Sequence, residues 1–325
     1  MVRRQFYIPL VIGLLLSFAS NAQLLPSYGE ERAGLSAFTF LKLPIDPAST
    51  GVGGASLAMT EHSFGALINP ALISGGNQQG VFSANRALGG GINHDFVALT
   101  KARKNGQHIA LTLNSLSTGS IIERTVWQPE GTGATTSATL ASVGLGISQA
   151  FSEYFHAGVQ LKYGLEQLGV YRAHNVYLDL GFLYKLDIAD LQFAAALTNF
   201  GPNTPISNMP IGQESALAAS PQMFSMGIQW TAWENDDHSL TPSLQLNHPT
   251  DNAEFYAGGL KYQWRSQLWG AVGYQIDSQK ALPWMGFGMK TVLKGWPVEW
   301  GVGAQPTPYN QYQGTIGIKI KPLTW

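Results

Sequence analysis

The sequence predicts an all-β fold: a transmembrane antiparallel β-barrel of about fourteen strands, with an N-terminal segment plugging its lumen. Three observations lead there: an export signal with no later helical span, a charge content too low for a soluble protein, and long runs of strict alternation. They divide the chain into a signal peptide (1–22), a plug segment (23–79) and a barrel (80–325).

The signal comes first. Arg3 and Arg4 precede the apolar run Ile8 to Phe18, and the small-residue sequence Ser20-Asn21-Ala22 follows before Gln23, so cleavage is expected after Ala22. A retained anchor would need about 20 apolar residues, and this run breaks at Ser17 and Ser20. Further along, Gly, Asn, Gln or a charge cuts every apolar run short of a spanning helix. Membrane integration must therefore proceed through strands whose backbone groups pair with one another. The expected location is the bacterial outer membrane, with lipid against the outer wall.

Composition agrees. Charged residues are 12% of the chain, against roughly 25% in soluble proteins. There are no cysteines, which removes both a disulfide framework and thiolate metal sites. Without Arg3 and Arg4 the formal charge is −3, and no basic run marks a nucleic-acid partner.

Alternation carries most of the argument. Between Tyr154 and Glu166, Phe155, Ala157, Val159, Leu161, Tyr163 and Leu165 share one face, opposite His156, Gln160, Lys162 and Glu166. The same pattern sets Val176, Leu178, Leu180, Phe182 and Tyr184 against Asn175, Asp179 and Lys185, and it returns at Ile316, Ile318 and Ile320. Soluble strands are usually five or six residues long. These run to ten or more, as a tilted membrane-crossing strand requires. Fourteen such segments follow residue 80, among them 106–127 and 136–150.

With the first strand rising from the periplasm, the short turns at Arg103 to Asn105, Ser152-Glu153, Asp187 to Ala189 and Glu234 to Asp236 fall inside. The longest connection, Gly201 to Ser220, falls outside, in keeping with the usual asymmetry of such barrels. Trp230, Trp233, Trp264, Trp269, Trp284, Trp296, Trp300 and Trp325 lie near strand ends, where they either form interfacial girdles or pack inside.

Residues 23–79 do not alternate. They carry Gly51, Gly53, Gly54 and the step Asn69-Pro70, and they read as a lumen plug or a periplasmic extension. Gly53, Gly54, Asn69 and Pro70 are the expected plug turns, since Pro70 sets its own φ and drives Asn69 out of the helical region. Gly51-x-Gly53-Gly54 lacks the Lys-Ser/Thr of a phosphate loop. The seven histidines form no metal motif, and Ser117, Asn247 and His248 have no spacing that singles out a hydrolase, so neither an enzyme nor a cofactor is expected.

The run Phe38-Thr39-Phe40-Leu41-Lys42-Leu43-Pro44, then Gly51-Val52-Gly53-Gly54-Ala55-Ser56-Leu57-Ala58, then Asn69-Pro70-Ala71-Leu72, resembles the N-terminal part of the PorV/PorQ family. The resemblance is nearer the PorQ branch, and it departs from the family at Glu61-His62 and Asp46-Pro47. It implies an outer-membrane component of the type IX secretion system with a FadL-like barrel. Such a component handles or anchors secreted cargo at the cell surface through contacts with cargo or other secretion proteins.

Two functions follow for testing: that secretion role, and a FadL-type transporter of hydrophobic small molecules. The inward faces read as mostly Gly, Gln, Thr, Ser and charged residues, which favours the first. The partner-binding candidate is the outer loop with Pro205, Ile206, Met209, Ile211, Glu214 and Leu217, which could equally fold back over the mouth. The lumen-facing set His156, Gln160, Lys162, Glu166 and Asp179 either bonds the plug or lines a polar channel.

Overall fold

A computed structural model describes residues 33–59, 64–75, 81–89, 91–208, 217–276, 283–306 and 312–320. The signal peptide, Glu61-His62, Met209, Ile211, Glu214 and Trp325 lie outside the described residues.

Fourteen long antiparallel strands form one continuous wall. They are β1 (Val81–Gly89), β2 (Ile92–Ala102), β3 (Gln107–Ser117), β4 (Ala138–Ala150), β5 (Phe155–Leu168), β6 (Tyr171–Lys185) and β7 (Gln192–Phe200). There follow β8 (Met223–Gln229), β9 (His238–Pro249), β10 (Phe255–Trp264), β11 (Leu268–Ile276), β12 (Trp284–Leu293), β13 (Trp296–Pro306) and β14 (Tyr312–Ile320). Each strand pairs with its neighbour in sequence, and β14 pairs back onto β1 from Phe82↔Ile320 to Leu88↔Gly314, which closes the barrel and leaves no edge.

The pleat decides what faces where. Paired Val159 and Leu180 are exposed, and so are Leu161, Tyr163, Leu165, Val176 and Phe182, while Gln160, Lys162, Asn175 and Asp179 between them are buried. A soluble protein shows the reverse. Here the exposed apolar band meets lipid and the polar faces are sealed inside. Leu180→Arg is accordingly expected to cost roughly 2–4 kcal/mol, read as a lower urea midpoint for the barrel folded into lipid vesicles. A midpoint equal to wild type would place Leu180 on the wrong face.

One expectation needs correction at the outer end. Strand β3 stops at Ser117 rather than continuing to 127. Beyond it Ile121–Ile122 pairs with Thr135–Thr136 as a separate hairpin, whose tip leaves Val126 and Trp127 more than 90% exposed. The apolar Ile121, Ile122, Val126 and Trp127 had extended the alternation past the true strand end.

Of the two courses open to 201–220, its described residues take the one that folds back. Thr204–Ser207 pairs with β6 through Ile206↔Ala173 and with Leu217–Ala218 through Pro205↔Leu217, so this segment folds back onto the wall. The tryptophans divide: Trp233, Trp264, Trp296 and Trp300 are exposed, whereas Trp269 and Trp284 are buried.

Candidate functional site

The site is the plug and the wall it rests on. Near the outer mouth Ser36 makes a parallel bridge with Ala219 of the folded outer connection, and Lys42 pairs with Asp251 of the β9–β10 connection. The chain then descends through a 3-10 turn (Thr39–Lys42), α1 (Pro47–Gly51), α2 (Gly65–Ile68) and α3 (Leu72–Gly75). At the inner end Lys185 donates to Gly75 O at 2.5 Å, and Ser74 Oγ meets Ser148 Oγ at 2.5 Å and His156 Nδ1 at 3.2 Å. The plug therefore spans the lumen from outer to inner end.

Helix α1 starts where an Asp-Pro step directs it. Asp46 caps it by accepting from Ser49 N at 2.8 Å, and Pro47 occupies the first turn, where its missing N–H costs nothing. Burial pushes the Asp46 carboxyl up to about 6, against the lowering effects of the Ser49 N–H and of Lys319 and Lys261 on the wall. A cavity of about 20 Å³ beside it, bounded by Phe64, Trp269, Glu299 and Lys319, has room for about one water.

Glycines of the wall make this approach possible. A β-carbon on Gly273 would stand 2.1 Å from Val52 C and 2.2 Å from Gly53 N. One on Gly286 would stand 2.7 Å from Pro47 O, and one on Gly259 2.4 Å from Val52 Cβ. Helix and wall thus meet backbone to backbone. Gly53 and Gly54 have φ of 69° and 84°, the left-handed turn that ends α1 against Tyr274.

On the opposite wall the hub is Asn69, which is fully buried. Its Nδ2 donates to Leu57 O at 3.2 Å and to Phe182 O at 3.1 Å, and its Oδ1 accepts from Ala71 N at 3.0 Å. It ties two stretches of plug to β6, and Pro70 lies against Gly158.

The five lumen-facing candidates divide between plug and wall. His156 and Glu166 hold the plug, through Ser74 and through Phe38 N, which donates to Glu166 Oε2 at 2.7 Å. Gln160 donates to Thr112 on β3 at 2.8 Å. Lys162 lies 2.7 Å from Asp179 Oδ2 and donates to Asn199 Oδ1 at 2.5 Å, and Asn199 N donates to Asp179 Oδ1 at 2.7 Å.

That last cluster sits where the wall breaks. Leu180 pairs with Leu197 but Leu178 with Phe200, so β7 carries a bulge, and Asn199 takes φ of 58°. The chain then leaves β6 and rejoins it only at Ile206. Beside the break lies an apolar cluster of Phe38, Phe40, Leu41, Leu140, Ala173 and Tyr177, with Phe38 edge-on to Tyr177 at 5.5 Å.

The inner wall is, as expected, mostly glycine and polar, with Thr112, Ser142, Gln160, Asn175, Ser225, Gln245 and Lys261 buried along it, but it also carries large apolar side chains. Phe96, Tyr177, Leu183 and Trp269 all point inward under the plug, at positions where alternation alone does not separate plug-facing from lipid-facing apolar side chains. Of the outer-loop candidates, Pro205 and Leu217 are exposed and Ile206 is half-buried in its pairing with β6. Of Ser117, Asn247 and His248, which sequence spacing does not single out, Asn247 accepts from Ser225 inside, and His248 pairs with Glu254 at the rim. Among the described residues no cluster suited to a metal ion occurs.

Sequence alone gives Asp46 only as a departure from the resembled family, and it does not single out Asn199 or Ser148. The Asp-Pro cap was a legible signal for the first, and nothing local marked the other two.

No family model and no curated protein matches this chain. Solved structures do. The toluene transporter TbuX of Ralstonia pickettii aligns with a TM-score of 0.56 at 11% identity, over 88% of this chain and 98% of that one. The toluene transporter TodX of Pseudomonas putida gives 0.57 at 11% identity, over 86% and 97%. The CymD monoaromatic hydrocarbon channel gives 0.55 at 10%, over 85% and 96%. At such identity the likeness is one of fold, and that fold, with the closed wall and outward apolar band, makes this chain a bacterial outer-membrane β-barrel with the architecture of those transporters.

Proposed function

We propose that this barrel passes small hydrophobic molecules across the outer membrane, with the plug yielding to admit them. The observation that carries the reading is the wall break at Asn199 to Asn203, set beside a buried apolar cluster just below the outer mouth. An apolar solute gains by leaving water for such a cluster, and a discontinuity in the ladder is where a strand can part at least cost. The names of the FadL-like neighbours, as transporters and channels for toluene and other monoaromatics, lend support.

A second reading keeps the secretion role implied by the N-terminal resemblance, with cargo or other secretion proteins as partners. The observation in its favour is the folded outer connection. It presents exposed Pro205 and Leu217 while being tied to the plug through Ser36–Ala219.

One variant separates the two. Replacing 204–219 by a tight turn removes the docking hairpin and, with Ala219, its hold on the plug, but leaves β7 and β8 in place. On the transport reading, uptake of radiolabelled toluene by intact cells changes severalfold while protein export stays normal. Unchanged uptake with loss of surface cargo would replace transport by secretion.

A further inference from the structure

Phe38 holds a backbone conformation that a bulky side chain rarely adopts. Its φ is 58°, in the left-handed region, just before the 3-10 turn Thr39–Lys42. A residue stays there only where its surroundings hold it, and such strain points to function. Three hydrogen bonds fix it: Phe38 N donates to Glu166 Oε2 at 2.7 Å, Ala37 N to Ala219 O at 3.2 Å, and Leu41 N to Phe38 O at 3.1 Å. Glycine would adopt this φ without strain. What the chain keeps by tolerating the strain is the ring.

That ring is fully buried, in a seat shaped by missing side chains. A β-carbon on Gly164 of β5 would stand 2.7 Å from Phe38 Cε1 and 2.8 Å from its Cδ1, and one on Gly201 2.8 Å from Tyr177 Cδ1. The two glycines thus clear room for two rings, which meet edge-on at 5.5 Å. Leu140 and Ala173, the cross-strand partners of Glu166, bound the seat on its outer side. It adjoins the wall break, since Tyr177 Oη lies 3.4 Å from Thr204 Oγ1 on the connection that follows the break.

Beyond its Cα a phenylalanine is a benzyl group, one hydrogen short of toluene. We propose that this seat binds a monocyclic aromatic solute, and that Phe38 is its resident occupant, displaced when the solute arrives. The inference rests on the transport reading; it names the substrate class and the contact that keeps the site shut. An arriving ring takes over the place above Gly164 and the edge-to-face contact with Tyr177, a geometry that aromatic pairs favour and an alkyl chain does not offer. Phe38 then relaxes out of the left-handed region, and the turn behind it is freed at the outer end of the plug.

Binding is read by fluorine NMR on the full chain in nanodiscs, with fluorobenzene as the probe. Phe38→Gly removes the ring without a backbone penalty, because glycine suits a φ of 58°. It should show a saturable bound resonance, distinct from probe dissolved in lipid. Its affinity should exceed that of wild type by roughly ten- to a hundredfold, the worth of burying the ring that wild type has to expel. Hexane should displace the probe about tenfold less well than benzene, for want of the edge-to-face contact. Phe38→Gly/Gly164→Ile refills the seat and should lose the resonance while still migrating as a folded barrel. Should either variant fail to fold, wild type decides. It should show the same resonance at higher probe concentration, and benzene should remove it ahead of hexane. No bound resonance, equal affinity in wild type and Phe38→Gly, survival of the resonance in the refilled seat, or hexane competing as well as benzene would overturn the proposal. A bound ring in a barrel that takes up no toluene in intact cells would instead refute transport and leave the seat standing.

Discussion

Gly273→Val is expected to expel the plug and leave the wall standing. The new β-carbon would sit 2.1 Å from Val52 C and 2.2 Å from Gly53 N. Both are backbone atoms of the turn that ends α1, so no side-chain rotation relieves the clash. Overpacking costs about 1–3 kcal/mol where side chains can yield; here the helix itself has to move. The strand loses nothing, because Gly273 keeps its ladder partners Gly259 and Trp284, and valine suits a strand.

The measurement is ionic conductance in planar bilayers together with heat-modifiable migration. The variant should migrate as a folded barrel and conduct through the emptied lumen, where wild type stays closed. Gly270→Ala is the control, since a β-carbon there meets nothing within 4 Å. Wild-type conductance in Gly273→Val would mean that α1 does not block the lumen.

Asp179→Leu is expected to have the largest effect on barrel stability. Asp179 and Lys162 are 0% and 2% exposed, and removing one partner strands the other as a buried charge. Breaking such a pair costs about 3–5 kcal/mol. A second loss adds to this: the Asp179 carboxylate also accepts from the backbone of Asn199, whose left-handed φ of 58° forms the bulge, so the wall break should become mobile. The double variant Lys162→Met/Asp179→Leu should regain most of the stability, since an apolar pair of similar volume carries no orphan charge. Urea titration in vesicles reads both variants. A single variant as stable as the double would show that Lys162 finds another partner in the lumen.

How much of this was legible beforehand follows from the range of the interactions involved. Strand β5 could be read residue by residue, because the face of Gln160 or Leu161 is set by a pleat of period two and by whether lipid or protein lies on that side. Both are properties of the segment itself. The same locality let β3 be overextended, since the hairpin residues Ile121 and Ile122 imitate the pattern without the wall. Fourteen strands and their closure followed from counting such segments.

Local pattern does not reach the plug. Nothing near Glu166 announces that it accepts from Phe38, 128 positions away, nor does Gly273 advertise Val52 as the reason it has no side chain. Gln160 and His156 share one face of one strand, yet one bonds the wall and the other the plug. The sequence alone determined the barrel, its inside and outside, and the existence of a segment that does not belong to it. Only the tertiary structure decided which wall each plug residue touches, where the ladder breaks, and which buried charge is paired with which. A filled lumen leaves little water for its polar groups, so most of them pair with plug or wall, and the partner's place in the chain is set by how the plug folds through the barrel rather than by anything near it in sequence.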